Sequence, residues 1–353
     1  MAVALQKQVS LRDNMLANLE ATLSANVKSG RQNTSQETAK LVLRSLTAIV
    51  KDKEWKNAQD LLRILRDFGK RLIEVDPTET VVGNVVRRVL KIVRDDYLRV
   101  HLGHSADQKL LLPHAVDDYA TAYVDLKDHV LESIDEFEQE IDYALDNITQ
   151  QADRLINDGE VILTYGKSRT VEAFLKAAKE TRSITVVVVE GAPKYDGHEM
   201  ARNLGNANIA TTLVHDSAVF AIMGRVHKVI LGTHSVMADG GLKAYSGAYS
   251  VACAAKHYSV PLLVCTPVYK LTPQFVTSED QVGFNKLESP QEIYDFADGD
   301  FDEAEILNPT YDYVPPDLVP LFIFNVGGNS PSYVYRLLSE LYHPDDYDLK
   351  GDV

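Results

Sequence analysis

The sequence predicts an α/β chain: an all-helical N-terminal domain over residues 1–155, then a Rossmann-like C-terminal domain over residues 156–353 with a mostly parallel sheet. Three observations predict it. From Leu11 to about Leu155 apolar residues recur at helical spacing while Gly and Pro are scarce. After Gly159 the period changes to short β-branched runs. Helical stretches separate most of those runs, and strands that are apolar without alternation, joined by helices, belong to a parallel sheet covered on both faces.

In the helical half, Val85–Arg94 places Arg87, Arg88, Lys91 and Arg94 on a helix with an apolar face, able to pair with acidic helices of this chain or of a neighbour. Leu131, Ile134, Phe137, Ile141, Leu145, Ile148, Ala152 and Leu155 then step by three or four, which predicts one long helix with a continuous apolar stripe. Between Val130 and Asp153 stand eight acids, Glu132, Asp135, Glu136, Glu138, Glu140, Asp142, Asp146 and Asp153, and no Lys or Arg. That face is either solvated surface or a docking face for a basic partner.

The strand runs follow at Val161–Thr164, Ile184–Val189, Ala210–Val214, Val229–Leu231, Leu262–Cys265 and Leu321–Phe324, with a helix such as Val171–Lys179 between. The acidic, turn-rich stretch of about 277–320 reads as a surface excursion before the last strand. Beyond it, Gly327-Gly328 reads as a glycine turn or an anion-holding helix start, Ser330 as a cap, Pro331 as a first-turn residue and His343-Pro344 as a stop.

Composition narrows the function. The chain has 353 residues, 45% hydrophobic and 25% charged, enough for two globular domains. A net charge of −15, spread along the chain, excludes a nucleic-acid backbone as the main partner and favours a basic protein surface. Its two cysteines, Cys253 and Cys265, sit in apolar runs, so a disulfide framework is excluded and a reducing compartment fits. No window approaches the ~20 apolar residues that span a bilayer, so no membrane partner is expected and the reading is cytosolic.

In an open α/β sheet any site lies beyond the carboxyl ends of the strands. Tyr165-Gly166-Lys167-Ser168-Arg169 after the first strand has neither a dinucleotide fingerprint nor a phosphate loop, so no cofactor is expected there. The ring of strand ends holds Glu190, Asp216, His234 and Asp239, enough for a general base, but no metal-ligand spacing, and Cys265 has no nearby cation to lower its pKa.

Four stretches carry a specific likeness: Ser168–Leu175, Gly197–Ala201, Ala254–Tyr258 and Asn325–Tyr333, the last continuing through Leu341–Asp346. With Gly83–Ile92 they closely resemble the beta-type regulatory subunits of eukaryotic translation initiation factor 2B. The resemblance covers nearly the whole chain. It implies a non-catalytic subunit of the exchange factor that reloads initiation factor 2 with GTP. Its partners would be the alpha, gamma, delta and epsilon subunits in a higher-order hetero-oligomer. Exchange chemistry would lie in epsilon, and delta would pair through the Rossmann-like half. The helical half would help to receive the alpha subunit of initiation factor 2 and sense its phosphorylation. Glu136 matches a family position on that face, with Glu132 and Glu140 as its neighbours.

The wider superfamily includes aldose–ketose isomerases acting on sugar phosphates, with a catalytic Cys and Asp. Where they read I-L-T-H-C, this chain reads Ile162-Leu163-Thr164-Tyr165-Gly166, which puts Gly166 at the cysteine. Where they read N-G-D and then N-K-I-G-T, Gly241 stands at the aspartate and Ala244-Tyr245 at the Asn-Lys pair. Proton transfer between sugar carbons needs an acid/base pair, and two glycines supply none. The alternatives to an interaction subunit are an isomerase using other residues, such as Asp239 or His234, and a metabolite-sensing pseudoenzyme.

Overall fold

The computed structural model describes residues 34–51, 55–102, 119–276, 284–298 and 305–349. The chain divides into two compact units, residues 1–142 with 337–353, and residues 143–336. The boundary expected at 155/156 thus falls at 142/143, and residues after Arg336 join the first unit. The start of the predicted helical period, Leu11 to Asn33, lies outside the described residues.

The first unit is helical: α1 (Ser35–Lys51), α2 (Ala58–Val75), α3 (Thr80–Leu102) and the first turns of α4 (Leu126–Thr149). Asn57 caps α2, its side chain accepting from Asp60 N at 2.9 Å. Val81, Val82, Val85, Val86, Val89, Leu90 and Val93 are all buried, so α3 is apolar around most of its girth, as a central helix must be. It meets α2 closely: a Cβ added to Gly69 would lie 2.5 Å from Val86 Cγ1. The predicted stripe from Leu131 to Leu155 is interrupted. α4 ends at Thr149, and after a turn the chain forms only the short α5 (Ala152–Leu155).

The second unit carries a seven-stranded sheet. Its strands are β1 (Val161–Tyr165), β2 (Thr185–Val189), β3 (Ala210–Val214), β4 (Lys228–Gly232), β7 (Leu262–Cys265), β9 (Leu321–Phe324) and β10 (Gly327–Asn329), in the order β10-β9-β7-β4-β1-β2-β3. Pairing is parallel except at β10, which runs against β9. All six predicted runs are strands. Crossovers run through α6 (Arg169–Thr181), α7 (Asp196–Asn206), α8 (Val219–Met223) and α9 (Ala248–His257). Ser168 caps α6, accepting from Val171 N at 3.4 Å. Val186, Val188, Ile162, Ile230 and Ile323 from the sheet meet Val171, Phe174, Leu175 and Ala178 of α6 in one core.

A second sheet, unpredicted, is antiparallel: β5 (Ser235–Val236), β6 (Leu242–Tyr245) and β8 (Tyr311–Val314). The excursion of about 277–320 is thus more than surface, because it supplies β8. Gly327-Gly328 belongs to a strand rather than to a turn or a helix start. Ser330 precedes a 3-10 turn without capping it; its hydroxyl pairs with that of Ser332 at 2.8 Å. The last helix, α10, spans Val334–Leu341 and ends before His343-Pro344. No helix among the described residues is long and apolar enough to cross a membrane.

Candidate functional site

Chain order reverses between β1 and β4, which makes the cleft beyond the carboxyl end of β1 the place for a ligand. Tyr165, Gly166, Gly191, Lys194, Tyr245 and Glu288 are among its walls. Gly166 and Gly191 both take left-handed backbone, φ +57° and +71°, where the ends of β1 and β2 turn against each other. A Cβ on Gly191 would lie 3.4 Å from Gly166 Cα. Asp216 fixes this corner, accepting from Gly191 N at 3.1 Å and Ala192 N at 2.7 Å. It is an anchor for backbone and not a free base.

Tyr165 forms one wall of the cleft. Its hydroxyl donates to Ser246 O at 2.5 Å and lies where a Cβ of Gly247 (φ +102°) would fall. Burial, with the carboxylates of Asp216 and Asp312, pushes this phenol above its ordinary value, so it is a neutral donor. The remaining cavity is about 50 Å³, room for a few waters at ~10–15 Å³ each. Its two lysines are engaged, Lys167 with Glu199 and Lys194 with Glu288 at 3.2 Å.

The four positions matched to the isomerases are not gathered into one acid/base site. Gly166 and Tyr245 line the cleft. Ala244 is buried opposite Asp312 in the small sheet. Gly241 sits before β6, against the ring of Tyr313. Tyr245 stacks on Tyr311 at 5.9 Å, the Tyr311 ring lies tilted against His234 at 4.7 Å, and the Lys243 ammonium stands 4.6 Å from the Tyr311 centroid. Aromatic packing thus occupies this flank. Asp239 accepts from Gly241 N at 2.8 Å and from the Tyr313 hydroxyl. Glu190 faces His198 at 3.4 Å. Burial pushes the Cys265 thiol well above its usual range, leaving it protonated and inert. No group of three His, Cys, Asp or Glu among the described residues could hold a metal.

The acidic helix is the second candidate. Glu132, Glu136 and Glu140 follow at i, i+4 and i+8 on one face of α4. Glu132 and Glu136 are exposed and make no ion pair among the described residues, whereas Glu140 is half-buried. Two other acids turn inward to α1: Glu138 lies 3.8 Å from Arg44, and Asp142 pairs with Lys40. The α3 cations largely serve elsewhere. Lys91 bonds Asp95 on its own helix, Arg88 stands 5.8 Å from the Phe137 ring centroid, and Arg87 and Arg94 hold residues near Asp346. Sequence reading missed Asp346, whose partners are some 250–280 positions away and leave no local signal.

Residues 31–331 match the initiation factor 2 subunit family. The chain is 40% identical to translation initiation factor eIF2B subunit beta of Dictyostelium discoideum, over 83% of this chain and 87% of that one. It resembles the crystal structure of eIF2B beta from Chaetomium thermophilum with a TM-score of 0.74 and 28% identity, covering 96% of this chain and 95% of that one. The tetrameric eIF2B beta2-delta2 complex from the same fungus matches at a TM-score of 0.70 and 30% identity, covering 94% and 97%.

Proposed function

The chain belongs to the initiation factor 2 subunit family, and on that premise we propose that it is a beta-type regulatory subunit of the translation initiation factor 2B exchange complex. The observation that carries the reading is the likeness, over most of the chain, to a beta subunit and to a beta–delta assembly. The cleft agrees with it. Glycines stand at both positions that the resemblance matches to catalytic residues, the Tyr165 hydroxyl is tied to Ser246, and Asp216 and Asp239 are each held by a structural partner.

In this reading the chain contributes binding surface rather than chemistry and works in the cytosol. Delta is its pairing partner, and alpha, gamma and epsilon complete the hetero-oligomer. The exposed row Glu132–Glu136 on α4 helps to receive the alpha subunit of initiation factor 2, because complementary charge speeds and orients association. An active isomerase would lack both the cysteine and the aspartate of that chemistry, since Gly166 and Gly241 stand in their places.

The test is co-expression with the four other subunits, read by native mass spectrometry and GDP release. A stable heteromer containing delta is expected. A well-behaved monomer that ignores delta and gamma would overturn the reading.

A further inference from the structure

Residues after Leu341 build a buried ionic knot inside the first unit. Asp346 is fully buried, and its carboxylate is clasped from two helices. Arg94 of α3 donates to both oxygens, Nε to Oδ2 at 3.1 Å and Nη2 to Oδ1 at 3.2 Å, and Arg66 of α2 donates to Oδ1. The backbone is held as well. Arg87 donates through Nε to Asp346 O at 3.1 Å and through Nη2 to Tyr347 O at 3.2 Å, and Arg66 to Asp345 O at 3.1 Å. Three guanidinium groups of two helices thus use this one segment as counter-ion and acceptor, a geometry that a bidentate fork makes directional. Tyr342 and Leu349, at its two ends, are each 2% exposed.

The same segment is tied to α4 by way of α3. Burial keeps the Tyr342 phenol at its start protonated. Arg88 stands over the Phe137 ring of α4, and its buried Nε has no hydrogen-bond partner among the described residues, so the ring contact positions it there. A chain of contacts therefore runs from Asp346 and Tyr347 through Arg87 and Arg94 to α3, and from α3 through Arg88 to the helix that carries Glu132 and Glu136.

We propose that Tyr342–Leu349 is a strap that sets the position of the acidic helix α4, with Asp346 as its fastening point. The claim about position stands on the contacts above, and its consequence for partner binding rests on the function proposed for α4. Seated, the strap gives Arg66 and Arg94 a shared carboxylate and Arg87 two carbonyls, and holds α3 and α4 in one arrangement. Unseated, it leaves buried cations that α3 must expose, and α4 loses the packing behind its outer face.

The experiment uses the full chain in its assembly and three variants: Asp346→Asn, Asp346→Glu and Tyr342→Phe. Hydrogen exchange is followed on peptides from α2, α3, α4 and the strands. Asp346→Asn is expected to speed exchange roughly tenfold or more in α3 and in α4 up to Asp142, with β1, β2 and β4 unchanged. Asp346→Glu should recover part of the protection. Should Asp346→Asn fail to fold, Tyr342→Phe carries the test, with faster exchange expected in α4. Unaltered α4 protection beside a loosened α3 would overturn the proposal, as would a uniform loss across both units. GDP release separates the two readings. A loosened α4 with undiminished exchange activity supports the strap and removes the docking role of α4.

Discussion

Restoring an aspartate at the isomerase position should damage the fold rather than revive chemistry. In Gly241→Asp the new Cβ would lie 2.5 Å from Tyr313 Cε2, 2.7 Å from its hydroxyl oxygen and 2.8 Å from Cζ, all inside van der Waals contact. The ring must swing away, and its hydroxyl then leaves the Asp239 carboxylate. Losing a hydrogen bond to a charged group costs about 1.5–3 kcal/mol. A second carboxylate two residues from Asp239 adds repulsion on the order of 1 kcal/mol. The sum, roughly 2.5–4 kcal/mol, should lower the melting temperature of a unit this size by about 5–16 °C. Thermal unfolding of the single variant, of Tyr313→Ala and of the double variant makes the argument specific. With the ring removed, Gly241→Asp should cost less than about 1 kcal/mol, a coupling that contacting residues show and distant ones do not. Ribose 1,5-bisphosphate should not turn over in any of them. An equal cost in both backgrounds, or none in either, would refute the steric account.

Two further outcomes are expected. Glu132→Lys with Glu136→Lys should slow association with the alpha subunit of initiation factor 2, and with it GDP release, while unfolding shifts by less than about 0.5 kcal/mol because both side chains are exposed; equal exchange rates would reduce this face to solvated surface. Burial raises the Asp96 carboxyl above 3.8, so the folded chain binds that proton more tightly than the unfolded one; stability should fall as pH rises from about 4 through the folded value, and Asp96→Asn should flatten this step and raise the melting temperature at neutral pH, as unfolding curves at several pH values will report.

The large sheet was legible because most of its strands are short apolar runs rich in β-branched or aromatic residues, although β3, with Thr211 and Thr212, is largely exposed. Val186, Val188 and Val189 are buried where the run Ile184–Val189 placed them. Its last strand was not, since Gly327-Gly328-Asn329 has neither propensity nor period and pairs only because β9 offers an edge. The small sheet escaped for a similar reason: β5 has two residues and β6 joins it across a glycine turn. At the cleft, the sequence named Gly166 and Gly241 but could not say what replaced the missing groups. Only the fold shows Tyr165 crossing Gly247, and Tyr313 lying against Gly241. The α3 cations were read as partners for acidic helices, whereas the strongest ion pairs run to Asp346, far along the chain. Periodicity reports what lies within a few turns and is silent on charges hundreds of positions away.

The first unit is discontinuous in sequence, since residues 337–353 belong with residues 1–142. During synthesis the helices α1 to α3 emerge first, yet Arg66, Arg87 and Arg94 lack the Asp346 segment until the whole of 143–336 has been made. Until then the helical unit lacks the counter-ion of its buried arginines, whereas the inserted sheet unit is contiguous in sequence. A stop codon soon after Arg336 would spare every strand and still deprive the earliest-made helices of their partner. A lesion beyond Arg336 would thus be read out in helices made hundreds of residues earlier.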